Sequence, residues 1–300
     1  MADYPIAGKS VLITGAARGI GAECARRLGK RGANVALVGL EAEELQRVAG
    51  ECGPNAIAFE ADIRDTDALD AAVRGTVERF GGIDILMANA GIASGGSLRT
   101  IGLETFDRVI EVNLLGTWRT ISACLPHVLQ RKGYVLVNAS MSAISQVPLI
   151  GPYAASKAGV EALANTLRME TSHLGIDVGV AYFGWINTEL VSGGDEHPAF
   201  ALVRSTLRGP FRKTYPVSIV GDAVVRGIEQ RARRVVAPRW IRPVMFMRGM
   251  IGKVAERDWP ETMPEVDRLI EEESARVGSA ASDPVGAGGA AVMSAERKGG

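Results

Sequence analysis

Val11-Leu12-Ile13-Thr14 run without a break into Gly15-Ala16-Ala17-Arg18-Gly19-Ile20-Gly21, and no other stretch of the 300 residues restricts the fold as tightly. The first run reads as a buried strand, and the pattern over 20–31, ended by Gly32, reads as a helix. Glycines at 15, 19 and 21 let the backbone turn sharply between the two elements with no Cβ in the way. The helix N-terminus then presents free N–H groups, which suits the phosphates of a nucleotide. Small residues also serve plain packing of helix on strand, but strand before and helix after, inside one βαβ unit, favours the phosphate reading.

The alternation continues. Short apolar runs predict strands over 35–38, 57–60, 83–88, 134–139, 178–182 and 235–237. Helices are expected over 43–50, 67–80, 104–131 and 153–174. In the third of these, Phe106, Val109, Ile110, Leu114 and Leu115 follow roughly the helical period. Strands apolar on both faces, alternating with helices, imply an α/β doubly wound parallel sheet with helices on both faces and right-handed crossovers. Hydrophobic residues at 47% suffice for one large core.

Lysines and arginines number 34 and acids 34, so no global field favours nucleic acid. Cys24, Cys52 and Cys124 are far apart, with no CxxC pair and no neighbouring histidine, so no metal site is expected. The N-terminus lacks the apolar core of a signal peptide, and no apolar run reaches the ~18 residues of a membrane span. A cytoplasmic protein is expected.

Tyr153 and Lys157 stand four apart, on one face of a helix. A tyrosine hydroxyl normally titrates near ~10, and a nearby ammonium favours its phenolate. The lysine can also bond a ribose. Ser140 follows a buried strand and can face the same cleft, its hydroxyl holding a substrate oxygen while the tyrosine exchanges the proton. Ser142 is the alternative if the loop bends differently. Such a Tyr/Lys pair alone is more often a surface pair, and a Ser after a strand a turn residue. Their joint placement downstream of the glycine loop favours an active site.

Together the T-G-x-x-x-G-x-G loop and the Ser, Tyr-x-x-x-Lys set resemble the short-chain dehydrogenase/reductase family, with matches spanning about 9–188. The resemblance implies a Rossmann-type domain and an NAD(P)-dependent oxidoreductase interconverting a secondary alcohol and a carbonyl. It implies catalytic roles for Asn113, Ser140, Tyr153 and Lys157, with Asn113 holding a water that relays protons to the lysine. Cofactor contacts are then expected from Thr14, Gly15, Arg18, Gly19, Ile20, Gly21, Leu40 and Glu41. Asp62 and Ile63 would meet the adenine, and Asn89-Ala90-Gly91 would line the cofactor site. Gly184, Ile186 and Thr188 would meet the nicotinamide end, beside Tyr153 and Lys157. Family members usually pair through surfaces matching 106–124 and 156–173, so a homo-oligomer is expected.

Three departures stand out. Phe183 replaces the proline that usually precedes Gly184, which leaves the stiffness of that loop open. Gly39 and Leu40 replace the aspartate or arginine that usually discriminates NAD from NADP. Arg18 could meet a phosphate, whereas Glu41 and the missing arginine tip the balance to NAD. The third is a C-terminal extension. Trp240, Ile241, Pro243, Val244, Met245, Phe246, Met247, Met250 and Ile251 interleave there with Arg239, Arg242, Arg248 and Lys253. A peripheral membrane contact through 239–253 is one reading. A helix over the substrate cleft or a subunit contact, its arginines paired with acids of 258–273, is preferred. Either way a hydrophobic small-molecule substrate is expected.

The chain therefore divides into a catalytic domain over 1–240, an amphipathic helical extension over 241–277 and a Gly/Ala/Ser-rich disordered tail over 278–300. Residues 189–215 read as a lid. A cofactor-binding sensor or scaffold without turnover is the rival class, and the intact Ser140, Tyr153, Lys157 and Asn113 set weighs against it.

Overall fold

The structure, a computed structural model, describes residues 4–249 and 259–299. Strands β1 (Ser10–Thr14), β2 (Asn34–Gly39), β3 (Ala56–Glu60), β4 (Ile85–Ala88), β5 (Tyr134–Asn138), β6 (Asp177–Phe183) and β7 (Arg234–Ala237) form one parallel sheet. Its order is β3-β2-β1-β4-β5-β6-β7. The chain winds outward from β1 to β3, returns to the centre and winds the other way from β4 to β7. All seven expected strands are present, and the fold is a Rossmann-type, doubly wound α/β sheet.

Ten helices carry labels here: α1 (Gly19–Lys30), α2 (Ala42–Cys52), α3 (Thr66–Phe80), α4 (Leu103–Ile110), α5 (Gly116–Gln130), α6 (Gly151–Thr171), α7 (Glu189–Asp195), α8 (Pro198–Thr206), α9 (Ser218–Glu229) and α10 (Ile241–Phe246). Successive strand residues point to opposite faces. Val11, Ile13, Val35 and Leu37 therefore meet α1, α2 and α9, whereas Leu12, Ala36, Val38 and Leu86 meet α3, α5 and α6. This two-sided burial explains why the strands read as unbroken apolar runs. The three cysteines are free and buried.

The helix expected over 104–131 is interrupted. A π turn, Glu111–Leu115, separates α4 from α5 and carries the buried Asn113. Polar side chains bonded to neighbouring backbone commonly disturb a helix at such a turn. Helix α9, unread in the sequence, packs its Val220, Val224 and Ile228 against α1 and the sheet. The expected lid, 189–215, is largely helical through α7 and α8.

The C-terminal region is helical and folded onto the sheet domain. Trp240, Ile241, Val244 and Met245 join the core beside α6. Arg248 pairs with Glu161 at 2.9 Å instead of with the acids of 258–273. Those acids find other partners: Asp267 meets Arg99 and Glu273 meets His197. Met250, Ile251 and Lys253 of the amphipathic segment lie outside the described residues. A helix, Trp259–Val277, packs on α8, and the stretch expected to be disordered forms a second one, Gly286–Gly299. Composition misleads there because Val292 and Glu296 find partners on the body of the protein. No described helix is long and apolar enough to cross a membrane.

Leu86 is fully buried in the middle of the sheet, whereas Leu103 at the start of α4 is 82% exposed. Leu86→Ala is expected to cost about 2–5 kcal/mol in a denaturant titration, and Leu103→Ala within about 0.5 kcal/mol.

Candidate active site

The site grows from the point where β1 and β4 part. Gly15 has φ +65°, and a Cβ there would lie 2.7 Å from Ala90 Cα. Gly21 packs so closely under the same turn that its Cβ would meet Gly15 O at 2.2 Å. Thr14 Oγ1 accepts from the backbone N–H groups of Asn89 (3.1 Å) and Ala90 (3.3 Å). Asn89 Nδ2 donates in return to Thr14 O and Gly15 O. Helix α1 then starts with no side-chain cap, leaving its first N–H groups free at a cavity.

That cavity, about 220 Å³, lies along the carboxyl ends of the strands. Every residue singled out in the sequence lines it except Thr14, Gly21, Asn113 and the alternative Ser142. Thr14 and Gly21 sit beneath the glycine turn. Arg18 is held by two carboxylates, Glu41 through Nε at 3.1 Å and Nη2, and Glu189 through Nη1 at 2.6 Å. Asp62 accepts from the backbone N–H and the guanidinium of Arg64.

Ser140 and Tyr153 border this cavity and also a second one of about 610 Å³. Ser142 borders only the second. The second cavity is mainly apolar, walled by Val147, Ile150, Trp185, Phe200, Val244 and Met247 among others. Thus α8 and α10 both contribute to it. The two cavities meet at the serine and tyrosine.

Lys157 is buried, and its Nζ donates to the backbone O of Asn138 at 2.8 Å while lying 5.6 Å from the centre of the Tyr153 ring. Burial alone pushes the lysine down to about 8. Burial raises the Tyr153 hydroxyl, partly offset by its hydrogen bond with Ser140. The sequence argument expects the lysine to lower the tyrosine. In the structure desolvation of the phenolate dominates, with only the Ser140 hydrogen bond opposing it, and the ammonium is bonded to the Asn138 carbonyl.

Asn113 lies behind this group. Its Oδ1 accepts from Ile92 N at 2.8 Å, and its Nδ2 donates to Ile92 O and to Ser156 Oγ. Both amide hydrogens are used, so the side chain fixes the 91–92 turn against α6. Gly91 is where the parts meet: a Cβ there would lie 3.1 Å from Asn113 Oδ1 and 3.3 Å from Lys157 Nζ.

Asn138 was not singled out in the sequence. Its carbonyl holds Lys157 and its Nδ2 donates to Asn89 Oδ1 at 2.9 Å, linking the glycine turn to the lysine. Its one signal is a polar residue ending an otherwise apolar strand, Tyr134-Val135-Leu136-Val137-Asn138. Also unread were Val285, Gly288, Gly289, Ala291 and Val292, which line the smaller cavity from the C-terminal segment. The loop after Phe183 gains rigidity from Tyr215, whose N–H donates to Trp185 O (2.9 Å) and whose O accepts from Asn187 N (2.8 Å). Among the described residues no group of His, Cys, Asp and Glu is placed to hold a metal.

Fold and site define a Rossmann-type oxidoreductase. A family model described as short chain dehydrogenase matches residues 9–198, and the chain belongs to that family. (-)-trans-Carveol dehydrogenase of Rhodococcus erythropolis is 32% identical over 231 residues, 71% of this chain and 82% of that protein. 3beta-Hydroxysteroid dehydrogenase 1 of Eggerthella lenta is 36% identical over 189 residues, 61% of this chain and 72% of that protein. Among solved structures, 3-ketoacyl-(acyl-carrier-protein) reductase from Brucella melitensis, complexed with NADH, superposes with TM-score 0.70 and 29% identity. That match covers 78% of this chain and 99% of the other.

Lys157 sets up a test of the site's cost. Its folded pKa of about 8 lies below the ordinary 10.5, so the buried ammonium destabilises the fold below pH 8. That cost fades as pH rises from 8 to 10.5, because only the unfolded chain then still binds the proton. Lys157→Met is therefore expected to raise stability by about 1–3 kcal/mol at pH 7. Chemical denaturation should show the gain shrinking toward pH 10.

Proposed function

We propose that this protein interconverts a secondary alcohol and a carbonyl on a lipophilic substrate, using NAD, with Tyr153 as the proton-transferring group. One observation carries the reading: Ser140 and Tyr153 stand where a cleft built on a glycine turn opens into a large apolar chamber. The names of two relatives point to the same substrate class, a hydroxysteroid and carveol, each an alcohol on a hydrocarbon frame.

The residues fit a dinucleotide. Gly15 and Gly19 have positive φ, and the uncapped start of α1 offers N–H groups to a pyrophosphate. Glu41 and Leu40 would take the adenosine ribose, Asp62 and Ile63 the adenine, and Lys157 the second ribose. Ile186 and Thr188 would hold the carboxamide. When bound, the nicotinamide supplies the carbon that gives or takes hydride. Ser140 donates a hydrogen bond to the substrate oxygen. In carbonyl reduction the Tyr153 hydroxyl gives its proton to that oxygen, and in alcohol oxidation the phenolate takes it back. Burial raises the Tyr153 hydroxyl above its ordinary value, which favours the neutral form and its role as donor. Lys157 then steadies the phenolate that proton transfer leaves. Asn113 positions the 91–92 turn against α6 with both amide hydrogens, and its Oδ1, which accepts once, keeps a lone pair for a relaying water.

The choice of NAD rests on Arg18. With Glu41 and Glu189 both bound to it, a ribose 2′-phosphate would meet two carboxylates at this end of the cleft. Glu41→Gln is expected to narrow the preference, strengthening NADPH binding at least tenfold relative to NADH in a fluorescence titration. Unchanged selectivity would assign the discrimination elsewhere.

For the reaction itself, Tyr153→Phe should bind NADH as tightly as the wild type yet lose at least a hundredfold in turnover of apolar alcohols and ketones. Binding without turnover in the wild type, across a wide panel, would favour a sensor. A homo-oligomer paired through α4, α5 and α6 is part of the same reading, supported by the exposure of Leu115, Trp118 and Met169.

A further inference from the structure

The terminal segment does not pack on the back of the sheet. Val285 N donates to Ala93 O at 2.9 Å, and Pro284 bridges to Ser94. Gly286, at φ +73°, passes so close to α7 that a Cβ would lie 2.6 Å from Glu189 O. Helix Gly286–Gly299 then carries Val292, 5% exposed, into a cluster with Ile63, Ile92, Val109 and Val112. Three of those four, Ile63, Ile92 and Val112, are walls of the smaller cavity, as are Gly288 and Val292 themselves. One turn beyond Val292, Glu296 accepts from Arg64 Nη1 at 2.5 Å and from Arg108 Nε at 3.0 Å. Arg64 also grips Asp62 at 2.7 Å, so one guanidinium joins the segment to the cleft's adenine end.

We propose that residues 284–299 form a gate across the dinucleotide cleft, with Val292 as its apolar seal and Glu296 as its latch. The proposal rests on the reading that the cleft binds a dinucleotide. With the segment in place the cavity is about 220 Å³. Sites for drug-sized ligands run from about 300 to 1,000 Å³, and a dinucleotide belongs at the larger end, so the segment must move for one to enter or leave. Its composition suits that movement. Gly286-Ala287-Gly288-Gly289-Ala290-Ala291 hold little side-chain area, and glycine is a poor helix former. A helix of 14 residues is marginal on its own, so this one persists through its contacts with the body. Those contacts are with α7 and with the walls of the cleft.

The test is stopped-flow NADH binding to the full-length protein, reading association and dissociation separately. Glu296→Gln weakens the latch and Val292→Ala the seal. Both are expected to raise both rates, about tenfold for Glu296→Gln. Glu272→Gln, which breaks an exposed pair with Arg268 on the preceding helix, should leave the rates unchanged. NADH binding with rates unaltered by Glu296→Gln and Val292→Ala would overturn the gate and leave the cofactor reading standing. Failure of the wild type to bind NADH or NADPH would overturn both.

Discussion

The carboxyl ends of β1 and β4 leave no room for a side chain where they part. Gly15 lies against the backbone at Ala90, and Thr14 and Asn89 exchange hydrogen bonds in both directions. Because the chain winds away from this point on both sides, the two crossovers diverge and leave a crevice above it. Asn89 extends the constraint to Asn138, and the Asn138 carbonyl fixes the Lys157 ammonium on α6. A turn near residue 15 thus sets where a charge sits on a helix more than a hundred residues later. The link is four hydrogen-bonding side chains long.

The same arrangement burdens stability. A buried ammonium and a half-buried phenol lie beside each other, and each is driven toward its neutral form. Asn138 Oδ1 is also buried without a partner, a group that commonly awaits a water or ligand. Desolvated groups of this kind are worth more to a reaction than to a fold, because fields in a dry site are less screened. The surrounding core is ordinary close-packed aliphatic material, which can bear the loss.

The fold was legible because both faces of every central strand are buried, so strands and helices differ plainly in period and length. The lining of the cleft was legible where a residue type is demanded by geometry, as at Gly15, or paired across one helix turn, as at Tyr153 and Lys157. Other features had no local signature. Asn138 acts through its carbonyl, which any residue possesses. The π turn at Asn113 depends on bonds to Ile92 and Ser156 that exist only after folding. The terminal helix reads as low complexity because its order comes from contacts with distant parts of the chain, among them Val292 in its apolar cluster, Glu296 on Arg64 and Arg108, and the packing of Gly286 on α7. Arg248, expected to pair with the acids of 258–273, pairs instead with Glu161, because that residue lies on α6 and enters reach only after folding.

The residues expected to carry the chemistry lie in the first 160 or so, and segments of the last hundred help to wall the two cavities. Ser140, Tyr153 and Lys157 are fixed by the sheet and α6, elements that pack on both sides. Part of the walls around them comes from α8, α10 and the terminal segment. Val285 borders both cavities, and its N–H is tied to Ala93, which borders the apolar one. Any displacement of that residue therefore reshapes both chambers at once.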